Sequence, residues 1–237
     1  MSRLPRELIP ELMDQPDIEP RELEQGLRDL RRVNRWLGGT RTALGAVLPL
    51  LRQIDAAEVR ILDVATGSAD IPVALARAAR RRRIRIRVLA SDLHATTVAL
   101  ARQRVKDPDV EVVSADGLAL PFTDREFHVA MCHTALHHFE KKDAVRLISE
   151  LGRVASHAVV ITDLRRSRGS LAGVTFLART IWRRHRVTRH DGVVSVRGAF
   201  TSLEAARLFR KAKLPTPRVR HHRFFRYSLV CRLGPAE

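Results

Sequence analysis

An α/β fold on an open, doubly wound sheet is predicted by three features of this chain. Strand-like and helix-like stretches alternate between residues 59 and 164, short acidic turns follow successive strand-like stretches, and two strand-like runs joined by a short turn close the chain. Alternation at this spacing calls for parallel pairing, and right-handed crossovers then place helices on both faces of the sheet. The expected organisation is one domain over 1–237. It comprises an N-terminal helical cap at 20–55, a ligand-binding core at 59–164, an insertion at 165–200, and a C-terminal helix and antiparallel hairpin at 201–237.

The first nineteen residues carry Pro5, Pro10 and Pro16, followed by Pro20, and prolines break any long helix. From Glu22, Leu23, Leu27, Leu30, Val33 and Leu37 recur at three- and four-residue steps, one face of an amphipathic helix. Gly38-Gly39 ends it, and Leu44, Val47, Leu48 and Leu51 mark a second helix. Val59 to Val64 reads as a short buried strand, followed by a tight turn and a helix from Ile71 to Arg80. Ile84 to Ala90 alternates apolar residues with arginines as a strand does. A helix is expected over Thr96 to Val105, and strands over Val110 to Val113 and Phe127 to Met131. Glu140 to Val154 follows as a helix and Ala158 to Thr162 as a strand. Thr201-Ser202-Leu203-Glu204 is a capping-box pattern opening a helix to Lys213, and Arg218–Phe224 with Tyr227–Leu233 form the hairpin.

With 45% hydrophobic residues the chain can bury one substantial core. No apolar run is long enough to span a bilayer, and the stretch from Met1 to Glu7 lacks an apolar signal core. Cys132 and Cys231 show no CxxC pairing, so a reduced, cytoplasmic protein is expected. The net charge of +17 invites a nucleic-acid partner, because clustered basic residues neutralise phosphates. The charge is mostly arginine and is spread along the chain, however, with local concentrations at Arg80–Arg83, Arg165–Arg168 and Arg183–Arg189. Compositional bias accounts for that pattern more simply.

Ligands of open parallel sheets bind outside the carboxyl ends of the strands. The chain places Asp63-Val64-Ala65-Thr66-Gly67-Ser68-Ala69-Asp70 at the first such end. Gly67 and its small neighbours admit a ligand close to the backbone, and the following helix N-terminus offers N–H groups to a carboxylate. Asp70 also reads as an N-cap. Ser91-Asp92-Leu93 puts an acid 25 residues beyond Gly67, suited to the two hydroxyls of a ribose. Ala115-Asp116-Gly117 offers a third acid, suited to an exocyclic amine.

With Leu120-Pro121-Phe122 and the stretch Phe127 to Phe139, ending Leu136-His137-His138-Phe139, these residues resemble the class I S-adenosylmethionine-dependent methyltransferases. The likeness covers roughly residues 59–165 and is greatest to small-molecule enzymes of quinone biosynthesis and phenolic polyketide tailoring. It implies a Rossmann-like, seven-stranded sheet and S-adenosyl-L-methionine as cofactor. It further implies Asp63, Thr66, Gly67 and Ser68 at the methionine end, Asp92 and Leu93 at the ribose, and Asp116 and Gly117 near the adenine. Ala65 and Ala69 stand where the family usually has glycine, so the turn is expected to form only with negative φ there. A nicotinamide cofactor would want G-x-G-x-x-G, which Ala-Thr-Gly-Ser-Ala-Asp does not supply.

Methyl transfer from an activated carbon needs an aligned, often deprotonated nucleophile, and histidine titrates in the useful range. Three histidines are candidate bases. His133, at the end of the fourth strand, is placed where acceptor and cofactor meet. His137 lies a turn further on beside His138, with one of the two facing inward, and His190 pairs with Asp191 in the insertion. A structural role is an equally simple reading for His133 and His137, and for His190 a solvated turn before Gly192 is the simpler one. A metal site is not expected: His133 and His137 have HxxxH spacing, but the glutamate of HExxH is missing and no third ligand is placed. The insertion carries Leu171, Val174, Phe176, Leu177, Ile181 and Trp182, and is expected to enclose an apolar substrate with the N-terminal helices. The expected activity is O-methylation of a small aromatic or phenolic metabolite. Carbon methylation of a quinol ring, an RNA methyltransferase and a non-enzymatic binding protein remain the alternatives. The RNA reading lacks an Asn/Asp-Pro-Pro-aromatic turn, having Cys132-His133-Thr134-Ala135 instead, and aromatics for stacking bases are scarce at 5%.

Overall fold

The computed structural model describes residues 4–15 and 17–234, so the expectations resting on Met1–Arg3 and on Pro16 lie outside it. Seven strands form one sheet: β1 (Val59–Val64), β2 (Ile86–Asp92), β3 (Val110–Ser114), β4 (Phe127–His133), β5 (Ala155–Leu164), β6 (Arg218–His222) and β7 (Arg226–Arg232). Their order is β3-β2-β1-β4-β5-β7-β6. The first five are parallel, and β7 runs antiparallel to both β5 and β6, which is the expected hairpin. The order reverses between β1 and β4, so the crevice expected of a doubly wound sheet opens at their carboxyl ends.

Among the described residues, eight α-helices surround the sheet: α1 (Pro20–Trp36), α2 (Gly39–Leu51), α3 (Asp70–Arg80), α4 (Ala95–Arg104), α5 (Lys141–Val154), α6 (Arg168–Arg179), α7 (Arg186–Gly198) and α8 (Ser202–Lys211). Alternate β1 residues feed opposite layers. Leu62 and Val64 join a cluster with Leu147 and Leu151 of α5 and Phe209 of α8. Ile61 joins the other, with Val47 of α2, Leu75 of α3 and Val98 of α4. Central strands buried on both faces hold unbroken apolar stretches, here Ile61-Leu62 in β1 and Ala158-Val159-Val160-Ile161 in β5.

The sequence placed every strand, with shifts at the ends. Strand β2 begins at Ile86 because Arg83 turns left-handed (φ 59°) and the Ile84 N–H bonds the Ala79 carbonyl, so the chain is still leaving α3 there. Strand β5 starts earlier than expected, at Ala155 directly after α5, because its first residue already pairs with Phe127. The insertion folds as α6 and α7. Its neighbour α8 has the expected capping box, with Thr201 and Glu204 each bonding the other's backbone N–H. Buried Arg166 grips the same Glu204 carboxylate with one nitrogen, at 2.8 and 2.9 Å. No described helix is long and apolar enough to cross a membrane.

Candidate active site

The turn after β1 winds through three left-handed residues, Ala65 (φ 57°), Gly67 (φ 57°) and Ala69 (φ 52°). This corrects the expectation of negative φ at the two alanines. A left-handed alanine costs about 1–2 kcal/mol, and the strain is held by the surrounding structure: Ala69 is fully buried, and the Thr66 N–H bonds the Ser91 carbonyl. The Gly67 N–H donates to Asp92 Oδ2 at 2.8 Å, joining the first two strand ends directly. Asp92 Oδ1 accepts from the His94 N–H, and burial pushes the carboxyl up.

Asp63 is fully buried and pushed up to about 7 by that burial. The Thr66 hydroxyl donates to its Oδ2 at 2.6 Å, while Oδ1 has no partner among the described residues. Asp70 opens α3 without capping it; it accepts from Ser68 Oγ and from Asn34 of α1, so α1 lies across the turn. Ser68 is buried, and its carbonyl accepts from Arg104. Leu93 is exposed beyond β2. Asp116 is exposed, and its Oδ1 accepts the Leu118 N–H. Gly117 packs so closely that a Cβ there would lie 2.8 Å from Val64 Cγ1, so the loop hugs the end of β1.

The histidines separate by environment. His133 is buried, with Nδ1 against the Thr162 hydroxyl and Nε2 unpartnered among the described residues. Burial, with Arg226 nearby, pushes it down to about 3, so it stays neutral. His137 is equally buried, but Nδ1 meets Asp163 Oδ1 at 2.8 Å and Nε2 meets Glu11 Oε1 at 3.3 Å. Burial opposes its charge, yet the two carboxylates outweigh that and raise it to about 10. Asp163 is correspondingly lowered by His137 against its own burial. His138 points the same way, its Nδ1 2.7 Å from Asp14 Oδ2 and its Nε2 3.9 Å from Glu11 Oε1. His190 bonds Asp191 as the sequence suggested, but it is Asp191, not His190, that lines the neighbouring cavity.

That cavity measures about 390 Å³, within the range of small-molecule pockets. Its walls are chiefly apolar, with Leu30 and Val33 from α1, Val174 and Leu177 from α6, and Trp182 between α6 and α7. Glu11, His137, His138 and Arg226 supply its polar side. The insertion and the first N-terminal helix thus both contribute walls.

A family model described as a methyltransferase domain matches residues 61–157. The chain is 33% identical over 97 residues to demethylmenaquinone methyltransferase of Chlorobaculum tepidum, covering 41% of this chain and 36% of that one. It is 28% identical over 149 residues to demethylmenaquinone methyltransferase of Deinococcus radiodurans, covering 61% and 58%. Human N-acetylserotonin methyltransferase, solved with S-adenosylmethionine, superposes with a TM-score of 0.68 at 13% identity, over 91% of this chain and 57% of that one. Residues 61–157 thus match a methyltransferase domain, and the fold is one shared with S-adenosylmethionine-dependent methyltransferases. The chain spans between about a third and three fifths of the length of the two curated relatives.

The class I methyltransferases use S-adenosylmethionine, and the turn residues fit that group. The orphaned Asp63 Oδ1 is a buried acceptor suited to a cation such as an ammonium, and the Asp92 carboxylate, tied to the Gly67 and His94 N–H groups at the end of β2, is of the residue type that suits a diol. What the sequence missed at this site are Glu11, Asp163 and Arg226. Asp163 was findable, since it is a fourth acid at a strand end. Arg226 is buried at the start of β7, donating to the Leu37 carbonyl at 3.0 Å and to Thr134 Oγ1 at 3.2 Å. Glu11 sits in a proline-marked segment with no periodicity, and nothing local announces it. It also supplies the third donor beside two histidines, which sequence spacing did not place.

Proposed function

We propose that this chain transfers the methyl group of S-adenosylmethionine to the hydroxyl of a small, apolar aromatic ring. The observation carrying the reading is the apolar cavity with His137 in its wall, fixed by Asp163 on one nitrogen and Glu11 on the other. When bound, the cofactor supplies a methyl carbon on a good leaving group. Asp63, Thr66, Gly67 and Ser68 hold its amino-acid end, Asp92 and Leu93 the ribose, and Asp116 and Gly117 the adenine. His133, neutral and facing inward from β4, walls the cofactor side; an imidazole held at about 3 is a poor base at neutral pH. Glu11, held in place by the charged His137 ring, receives the proton of the ring hydroxyl as the new oxygen–carbon bond forms, and Asp163 keeps the imidazole oriented. The apolar walls from α1, α6 and α7 exclude water from the reacting atoms.

Methylation at a ring carbon is a second reading, favoured by the names of both curated relatives, which specify demethylmenaquinone. Loss of the same hydroxyl proton would raise electron density on the ring carbons, so the same residues serve. Transfer of an isotopically labelled methyl to a panel of phenols and quinols, with the product read by NMR, separates them. A methoxy product supports the first reading and a ring methyl the second. If the cofactor binds but no label reaches any ring, the acceptor class is wrong. His137→Gln should lower kcat by about 10²-fold or more with unchanged cofactor affinity, whereas His190→Ala should leave kcat unaltered. A larger loss in His133→Ala than in His137→Gln would return the base to His133.

A further inference from the structure

Glu11, His137 and His138 come from segments far apart in sequence, yet their donor atoms all lie within 4.8 Å of one another. Both histidines turn Nε2 toward the same Glu11 oxygen, Oε1, at 3.3 and 3.9 Å. Ligands held about 2.0–2.1 Å from a tetrahedral ion stand roughly 3.3–3.4 Å from each other, so the three donors are already near the spacing an ion would impose. Their ring centroids are 4.3 Å apart, which lets both reach one centre.

The second observation lies behind the donors. The Nδ1 of His137 meets Asp163 Oδ1 at 2.8 Å, and the Nδ1 of His138 meets Asp14 Oδ2 at 2.7 Å. A carboxylate on Nδ1 is the usual backing of a metal-bound histidine: it fixes the tautomer with Nε2 free and strengthens that nitrogen as a ligand. Here the arrangement occurs twice, on adjacent residues, with both Nε2 atoms turned to Glu11 Oε1, and an incoming cation displaces to solvent any proton they carry. Ser195 Oγ backs the third donor by bonding Glu11 Oε1. Glu11 and His137 are buried, His138 is partly so, and all three line the apolar cavity. One face of the cluster is therefore open to whatever the cavity holds.

We propose that Glu11, His137 and His138 form a two-histidine, one-carboxylate site for a first-row divalent cation such as zinc. Two imidazoles and one carboxylate suit zinc, iron(II) or cobalt(II) better than calcium or magnesium, which prefer all-oxygen sets. The open position faces the cavity, where it takes an oxygen ligand. If the methyl acceptor is a hydroxylated ring, as proposed above, that oxygen is its hydroxyl. With the ion bound, Glu11 and His137 are ligands and no longer take up that proton: the ion holds the deprotonated oxygen, the proton leaves to solvent, and the cluster becomes a positioning and activating site. Only this last link rests on the methyl-transfer reading; binding of the ion rests on the five side chains themselves.

The test uses the full chain, freed of any affinity tag and dialysed against chelator. It is titrated with zinc chloride and, separately, cobalt chloride, with S-adenosylhomocysteine titrated in parallel. The expected result is about one equivalent of zinc per chain, as for a single three-ligand site with one open position, and visible cobalt absorption bands of a low-coordinate nitrogen–oxygen site. Affinity should fall at least tenfold in Glu11→Gln and in His138→Gln, and about 10–100-fold in Asp14→Asn. His138 is partly exposed, so its variant keeps the test usable if Glu11→Gln unfolds. No uptake by protein that still binds S-adenosylhomocysteine overturns the ion site and leaves the methyl-transfer reading standing. Uptake unchanged in both ligand variants also overturns it, assigning the metal to surface histidines. Uptake without any binding of S-adenosylhomocysteine supports the ion site and removes the methyl-transfer reading instead.

Discussion

Single residues of the glycine turn carry backbone strain and electrostatic cost that the sequence only hinted at. Ala65 and Ala69 occupy left-handed conformations that glycine reaches freely. Ala65→Gly and Ala69→Gly should each stabilise the protein, by up to about 1 kcal/mol, since relief of roughly 1–2 kcal/mol is partly offset by glycine's extra unfolded freedom. Urea denaturation checks this, and a destabilised double variant would show that the methyl groups earn more in packing than they lose in strain. Asp63 makes a second prediction. Its folded carboxyl titrates near 7, above its unfolded value, because burial penalises the anion. The folded state therefore binds the proton more tightly. Its contribution to stability is fully present below about pH 4 and is lost as pH rises through 7, to a total of roughly 4 kcal/mol. Asp63→Asn should flatten that part of the stability–pH curve. In the wild type, affinity for S-adenosylhomocysteine should rise over the same window as the anion forms, and it should not do so in Asp63→Asn. Parallel pH dependences in the two proteins would remove Asp63 from the cofactor's ammonium.

Among the elements, the loop after β3 is closely fitted to its neighbours. A Cβ on Gly117 would stand 2.8 Å from Val64 Cγ1 and 3.1 Å from Leu147 Cδ1, in a layer that is fully packed. Gly117→Ala should cost about 1–3 kcal/mol as an overpacked position, and should weaken cofactor binding by moving Asp116. Denaturation and calorimetry measure the two effects; stability lost with affinity kept would detach this loop from the cofactor. The strands and helices themselves were largely legible, because period-2 and period-3.6 patterns are local properties of the chain. Their ends were less so. Whether β2 starts at Ile84 or Ile86 depends on how α3 unwinds through Arg83, and the start of β5 depends on pairing with β4.

At the scale of the whole molecule, part of the basic charge is paired locally, while the net charge stays at +17. Several arginines of this +17 chain are engaged by acids: Arg80 with Asp107 at 2.6 Å, Arg153 with Glu150 at 2.7 Å, and Arg186 with Glu22 at 2.7 Å. Affinity for single-stranded RNA should therefore be weaker than about 1 μM at physiological salt, in the non-specific range. Filter binding across a salt series tests this, and tight, salt-resistant binding would revive an RNA substrate. The sequence by itself determined the sheet, its hairpin and the acids at the strand ends. Each of these follows from short-range periodicity, and a strand's carboxyl end is fixed once the strand is. Only the tertiary structure decided the cavity and its polar wall. Glu11 reaches His137 across 126 residues of chain, and Asp163 and Arg226 reach the same wall from neighbouring strands. Such contacts are set by how crossovers stack the layers, and no local pattern records them.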